Sequence, residues 1–310
     1  MAATLTDFHY GAVTPVAAYL MACLGSALGL RCTVRSMRQG ARGRKNGWLS
    51  LAAVSMGCGI WTMHFIAMTG FSVEGSDISF DTGMTLLSLA VAIGVTAVGV
   101  FLVGHLGSRA KVLVTAGVFM GLGVAAMHYI GMAAMQVHGS MHYDTTAVAA
   151  SVLIAVIAAT AALWAAVTIR SLWSSLGASL VMGVAVTGMH YTGMAAVSVD
   201  LDHSGVTSSQ SSIDQLSFML AMIVGPVVVL LLSAVVVTFD PDLVLGDEPG
   251  TERLAEAARP VAPTAFAQQG QPAHQGPYEQ YPQQGQFGQY EYEQQRPYTQ
   301  HEQRGDRSWQ

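Results

Sequence analysis

The sequence predicts an all-α membrane protein: seven transmembrane helices, built from three helix-pair repeats plus a seventh helix, with the N-terminus outside and the C-terminus cytoplasmic. Three observations predict it. Of 310 residues, 52% are apolar and only 11% are charged, against about 25% charged in an ordinary soluble domain. Seven apolar runs are long enough to cross a bilayer, which takes roughly 20 residues each. One pattern of methionine, glycine and histidine also recurs three times, in alternate runs, and such self-similarity is the mark of an internal repeat.

Taken in order, the apolar runs cover 13–30, 48–69, 84–106, 112–135, 147–169, 172–197 and 216–239, and none holds Asp, Glu, Lys or Arg within these limits. The first is not a cleavable leader, because no basic segment precedes it and positive charge follows it instead. Gly25-x-x-x-Gly29 and Gly117-x-x-x-Gly121 are patterns that let helix backbones approach closely in lipid. They are weak signals in segments this rich in Gly and Ala. Cys23, Cys32 and Cys58 lack C-x-x-C spacing and say little about redox compartment.

Orientation follows from the connections. The first, third and fifth hold Arg31, Arg35, Arg38, Arg42, Arg44, Lys45, Arg109, Lys111 and Arg170 with no acidic residue. The N-terminal segment and the other three hold Asp7, Glu74, Asp77, Asp81, Asp144, Asp200, Asp202 and Asp214 with no Lys or Arg. Positive charge stays inside, so the N-terminus is expected outside. Residues 8–239 thus form the membrane domain. Residues 240–310 turn to Gln, Pro, Gly and Tyr, a composition that cannot offset its ordering entropy and is expected to be a disordered cytoplasmic tail. No enzymatic domain is expected after the membrane part, and no basic, aromatic-rich patch speaks for nucleic acid.

The repeated pattern carries the chemistry. Its three copies are Met56-Gly-Cys-Gly-Ile-Trp-Thr-Met-His-Phe-Ile-Ala-Met68, Met120-Gly-Leu-Gly-Val-Ala-Ala-Met-His-Tyr-Ile-Gly-Met132 and Met182-Gly-Val-Ala-Val-Thr-Gly-Met-His-Tyr-Thr-Gly-Met194. Each lies on an even-numbered helix, with its His about five to seven residues, roughly 8 to 10 Å, below the outer end. His64, His128 and His190 therefore share one depth. Residues four apart share a helix face, so Met68, Met132 and Met194 project beside their histidines. Met63, Met127 and Met189 flank that face, about 100° round. Gly57, Gly121 and Gly183, two turns below, leave room for a neighbouring backbone. Thioether sulfur selects Cu(I), and imidazole suits copper in both oxidation states as well as zinc and iron. Neutral ligands also avoid the cost of a buried ionised group. One or two copper ions fit this donor set.

A single intramembrane His more often bonds to a neighbouring helix than binds a ligand, and Met is a common filler. Three copies at matched depth favour a site, because polar groups inside a bilayer mark function. Met141-His142-Tyr143 reads as a decoy: it lies in an outer loop beside His138 and lacks both the opening Met-Gly and the following Met. With His9 and His203 it makes solvated loop histidines rather than a site. His105 lies at the cytoplasmic end of the third helix, off the plane of the others.

These residues resemble the MHYT family, a bacterial integral-membrane sensor domain with three such motifs on alternate helices near the outer face. The resemblance covers about residues 8–239. Only Met189-His190-Tyr191-Thr192 spells the motif literally; Met63-His64-Phe65-Ile66 and Met127-His128-Tyr129-Ile130 depart from it while keeping Met and His. The resemblance implies a multi-pass protein of the bacterial cell membrane, with a copper site that senses a diatomic gas such as oxygen, carbon monoxide or nitric oxide. It also implies a cytoplasmic signalling partner reached through the loops or tail. Two alternatives stand beside it. A haem-binding redox protein would use two histidines as axial ligands and leave one over. Copper uptake or transfer would use the outer methionines and histidines, yet no ligand series continues down the helices. Enzyme chemistry has no G-x-S-x-G, H-E-x-x-H or P-loop to stand on.

Overall fold

In the computed structural model the described residues are 5–6, 10–37, 44–73, 78–137, 139–201 and 212–240. The expected tail lies outside them beyond Asp240, and so do His9, His138 and His203. Seven helices are long and apolar enough to cross a membrane. They are α1 (Val13–Met37), α2 (Lys45–Thr69), α3 (Thr82–Leu106), α4 (Ala110–Ala134), α5 (Thr145–Thr168), α6 (Leu172–Met194) and α7 (Ser212–Thr238).

Helices α1 to α6 close into a ring, each packed on the next in sequence and α6 back on α1. Helix α7 stands outside this ring against α2 and α1. Small residues set the close approaches. A methyl on Gly25 of α1 would lie 2.6 Å from the Gly59 Cα of α2, and one on Gly57 of α2 would lie 2.8 Å from the Ile93 Cα of α3. Gly121 meets the Val156 backbone of α5 in the same way, while Gly183 meets Cys23 and Tyr19 of α1. The glycine of every Met-Gly pair therefore seats one odd-numbered helix, and α1 serves α6 as α3 serves α2.

Three short antiparallel pairings join the connections at the acidic end, where an all-helical reading expected none. They are β1 (Leu5–Thr6) with β2 (Ser72–Val73), β3 (Ser79–Phe80) with β4 (Met135–Gln136), and β5 (Gly139–Tyr143) with β6 (Val197–Leu201). Each strand that follows an even helix pairs with the strand that precedes its partner odd helix, so the repeating unit is α1–α2, α3–α4 and α5–α6. Four of these strands are two residues long, too short for a readable alternation; β6, Val197-Ser-Val-Asp-Leu201, does alternate apolar with polar residues. The acidic residues beside them have work to do. Asp81 accepts a hydrogen bond from the Met84 N–H at 2.7 Å, and Asp144 one from the Ala147 N–H at 2.8 Å, capping α3 and α5.

Several boundaries differ from the sequence expectation: Lys45, Lys111 and Asp214, expected in connections, fall in the first turns of α2, α4 and α7, and the largest difference is at the end of α1. Arg31 and Arg35, expected in a connection, lie in the last turns of α1. Arg35 is buried and paired with Asp240, just past α7, with its guanidinium 5.6 Å from the Trp48 ring centroid. A partnered arginine lets the helix run on where an unpaired one would have to reach water. Large apolar side chains on the outside, among them Leu86, Ile157, Val181 and Leu232, suit a lipid surround.

Candidate metal centre

The three histidines occupy the last two turns of α2, α4 and α6, and each is 1% exposed. Their ring centroids form a near-equilateral triangle, with sides of 5.0, 5.0 and 5.1 Å. The rings turn Nδ1 inward: His64 Nδ1 lies 3.0 Å from His190 Nδ1 and 3.2 Å from His128 Nδ1. All three offer one nitrogen within 4.8 Å of the others.

Local sequence holds the rings in this pose. The aromatic after each His stands edge-on to it: Phe65 against His64 at 5.0 Å, Tyr129 against His128 at 4.8 Å, and Tyr191 against His190 at 5.0 Å between centroids. Behind the rings, a Cβ on Gly131 of α4 would strike Nε2 of His64, and a Cβ on Gly193 of α6 would strike Nε2 of His128. Both glycines stand three residues after a motif His, and Ala67 holds that place in α2. His64 and His128 are thus wedged between the shared centre and the backbone of the next even helix. Neither the edge-on aromatic nor this glycine was assigned a role from sequence. The glycine was legible as a small residue repeated at one offset from His.

The methionines fall into two layers around the histidines. Met68, Met132 and Met194 share a buried cluster with Phe71, Val73 and Val199 beneath the strand pairings. Met63, Met127 and Met189 belong to the cluster on the other side, with Ile60, Trp61 and Val124. The structure thus brings each set of three together and buries the imidazoles between them, with no carboxylate in α1 to α6. His142 is not part of this. It lies on β5, largely exposed, with Nδ1 3.9 Å from Asp200. His105 is also apart, with Nδ1 3.0 Å from the Phe101 carbonyl.

The triad fits a small metal ion. Nitrogens bound about 2.0 Å from a tetrahedral ion stand about 3.3 Å apart, close to the 3.0 and 3.2 Å found here. Among the described residues, Nε2 of His64, His128 and His190 finds no hydrogen-bond partner. A neutral imidazole carries one N–H, and a proton left at Nε2 would free Nδ1 to face a cation. Haem does not fit. A macrocycle must pass between two axial nitrogens, and nitrogens 3.0 Å apart leave it no slot.

This arrangement defines a class: a polytopic membrane module with a buried histidine triad. The family follows from the sequence matches. The model described as "Bacterial signalling protein N terminal repeat" matches residues 57–116, 121–179 and 183–245, and the chain belongs to this MHYT family. It is 44% identical over 167 residues to the bifunctional diguanylate cyclase/cyclic di-GMP phosphodiesterase MucR of Pseudomonas aeruginosa, covering 52% of this chain and 24% of that protein. It is 34% identical over 205 residues to the cyclic di-GMP phosphodiesterase NbdA of the same organism, covering 64% and 26%. Its identity to the signaling protein YkoW of Bacillus subtilis is 31% over 194 residues, covering 59% and 23%. The chain thus spans about a quarter of the length of these relatives. No solved structure matches it.

Proposed function

We propose that this chain is the membrane-embedded sensing module of a signalling system, holding copper at His64, His128 and His190 and responding to a diatomic gas. The observation that carries the reading is the inward turn of three Nδ1 atoms at coordination spacing within a buried layer. Copper in this place would supply a soft Lewis-acid centre open to oxygen, carbon monoxide or nitric oxide. The protein's own residues would do the rest. His64, His128 and His190 each present Nδ1 as a ligand, and Met68, Met132, Met194, Met63, Met127 and Met189 offer thioethers from either side while excluding water. Gly131 and Gly193 fix the depth of two rings, so a change in ring position presses directly on α4 and α6. Gas binding would bias two packings of α2, α4 and α6, and Arg35 with Asp240 would carry the change to the end of α7.

The strand pairings and acidic residues would face outward and the arginine-rich end the cytoplasm, where a signalling partner or a further domain would receive the output. Two of the relatives are named for cyclic di-GMP enzymes, which makes turnover of that messenger the first output to assay. Copper uptake is a weaker reading, since the triad is sealed between two methionine layers.

The test is elemental analysis and optical spectroscopy of detergent-purified protein beside a variant with His64→Ala, His128→Ala and His190→Ala. The proposal expects about one copper per chain in the parent and none in the variant. Equal metal content would remove the site. A Cu(I)-loaded parent whose spectrum ignored carbon monoxide, nitric oxide and oxygen would remove gas sensing.

A further inference from the structure

Beyond the histidine layer, on the side away from the strand pairings, lies a cavity of about 20 Å³. Met56, Met120 and Met182, the methionines that open the three motifs, line it with Met189 and the α5 face that carries Ala158 and Ala159. Its upper rim is Ile60, Val124 and Val186, each one turn before a motif His and so about 5 Å from that layer along the helix axis.

A break in the repeat makes this space. Helices α3 and α5 occupy equivalent places, each capped by an aspartate, and aligned on Asp81 and Asp144 they put Val95 and Thr96 opposite Ala158 and Ala159. Val95 fills its gap so fully that a Cβ on Gly123 would lie 2.6 Å from its own Cβ. The alanines of α5 do not reach so far. Two of the methionine sulfurs turn elsewhere: Met56 Sδ lies 2.6 Å from where a Gly29 methyl would sit, and Met120 Sδ 2.7 Å from that of Gly99. A thioether-bound ion is therefore not what the cavity is shaped for.

We infer that this cavity is a docking site for one small apolar diatomic molecule, oxygen or nitric oxide by chemistry, which enters from the hydrocarbon past α5 and waits one turn from the histidine triad. The inference rests on the gas-sensing reading for its purpose, but the binding itself needs no metal. Size supports it: the centre of a water-sized body has about 20 Å³ to move in, so the cavity admits one compact guest somewhat larger than water, such as a diatomic molecule or a xenon atom. Chemistry supports it too. A polar water would find no partners in a lining of thioethers and aliphatic groups, and such cavities stay dry and take apolar guests. A lipid chain is far too large. Ala158 is half-buried beside Ile157, which is 60% exposed on the same helix, so the path from bilayer to cavity is short. Apolar gases concentrate in hydrocarbon rather than water, which makes that path the favoured one.

The probe is xenon, an apolar body that needs no metal, applied under pressure to the full chain carrying ¹³C-methyl methionine. The expected result is a saturable shift of the Met56, Met120, Met182 and Met189 methyls, with Met68, Met132 and Met194 unmoved. Ala158→Val with Ala159→Thr, which copies α3, should abolish the shift while leaving copper content unchanged. Met182→Ala, which enlarges the cavity, should strengthen xenon binding. Shifts that never saturate, that spread equally to Met68, Met132 and Met194, or that survive the filled variant would overturn the inference. The parent titration decides the matter even if a variant does not fold. Saturable xenon binding in a protein that takes up no copper would sink the sensor reading and leave the cavity standing; copper uptake without xenon binding would do the reverse.

Discussion

Gly131→Ala is the smallest change that should disable the centre without touching a ligand. The added methyl would meet Nε2 of His64 well inside contact distance, with Cδ2 at 3.0 Å and Cε1 at 3.4 Å. Apolar contacts settle near 3.5–4.0 Å, so the ring must retreat by roughly 1 Å. Its retreat runs toward the shared centre, where His64 Nδ1 already stands 3.0 and 3.2 Å from its neighbours. With no free space on either side, the conflict falls on the α2–α4 packing. Overpacking of this kind costs about 1–3 kcal/mol, which would lower the melting temperature by several degrees. Misplacing a ligand through its support typically weakens a metal site about 10–100-fold, and that is the expected loss in Cu(I) affinity measured by competition with a chromogenic chelator. Gly193→Ala should behave alike through His128. Gly188→Ala and Gly94→Ala are the controls, since a methyl there meets nothing within 4 Å and should be neutral or stabilising by up to about 1 kcal/mol. If Gly131→Ala matched these controls in both stability and affinity, the wedge described for His64 would be wrong.

Other outcomes follow from the same geometry. Replacing Met68, Met132 and Met194 together by Leu should keep stability within about 1.5 kcal/mol per site while lowering Cu(I) affinity if that layer supplies the fourth ligand; the matching change at Met63, Met127 and Met189 tests the other layer. Without metal, His64→Ala should destabilise more than His128→Ala or His190→Ala in thermal unfolding, because His64 Nδ1 contacts both other rings and unpaired buried groups cost about 1–3 kcal/mol each. Arg35→Ala should lower the melting temperature by removing the buried ion pair with Asp240, and a cycle with Asp240→Ala should show the two changes coupled. A purely additive cycle would mean the pair does not hold the end of α7.

Much of this was legible in the residues. The seven spans, the common depth of His64, His128 and His190, and the grouping of their methionines follow from helical periodicity and apolar length, because a bilayer leaves the backbone few options. What sequence did not give was lateral. Nothing in the spacing says that Nδ1 rather than Nε2 faces inward, since that depends on the wedge of Gly131 and Gly193 from other helices. Arg35 read as a loop residue because its partner, Asp240, lies beyond six further helices. The cavity was hidden for a related reason: it is a missing volume, made by Ala158 and Ala159 against a neighbour no local pattern names. His142, set aside for lacking the flanking methionines, does lie outside the centre.

The most direct test of a copper-holding triad is X-ray absorption at the copper edge on Cu(I)-loaded protein. The account predicts imidazole nitrogens at about 2.0 Å with the outer-ring scattering of histidine, lost when His64, His128 and His190 are all replaced by Ala. A spectrum showing sulfur or oxygen ligands alone, or one the triple substitution leaves unchanged, would contradict it.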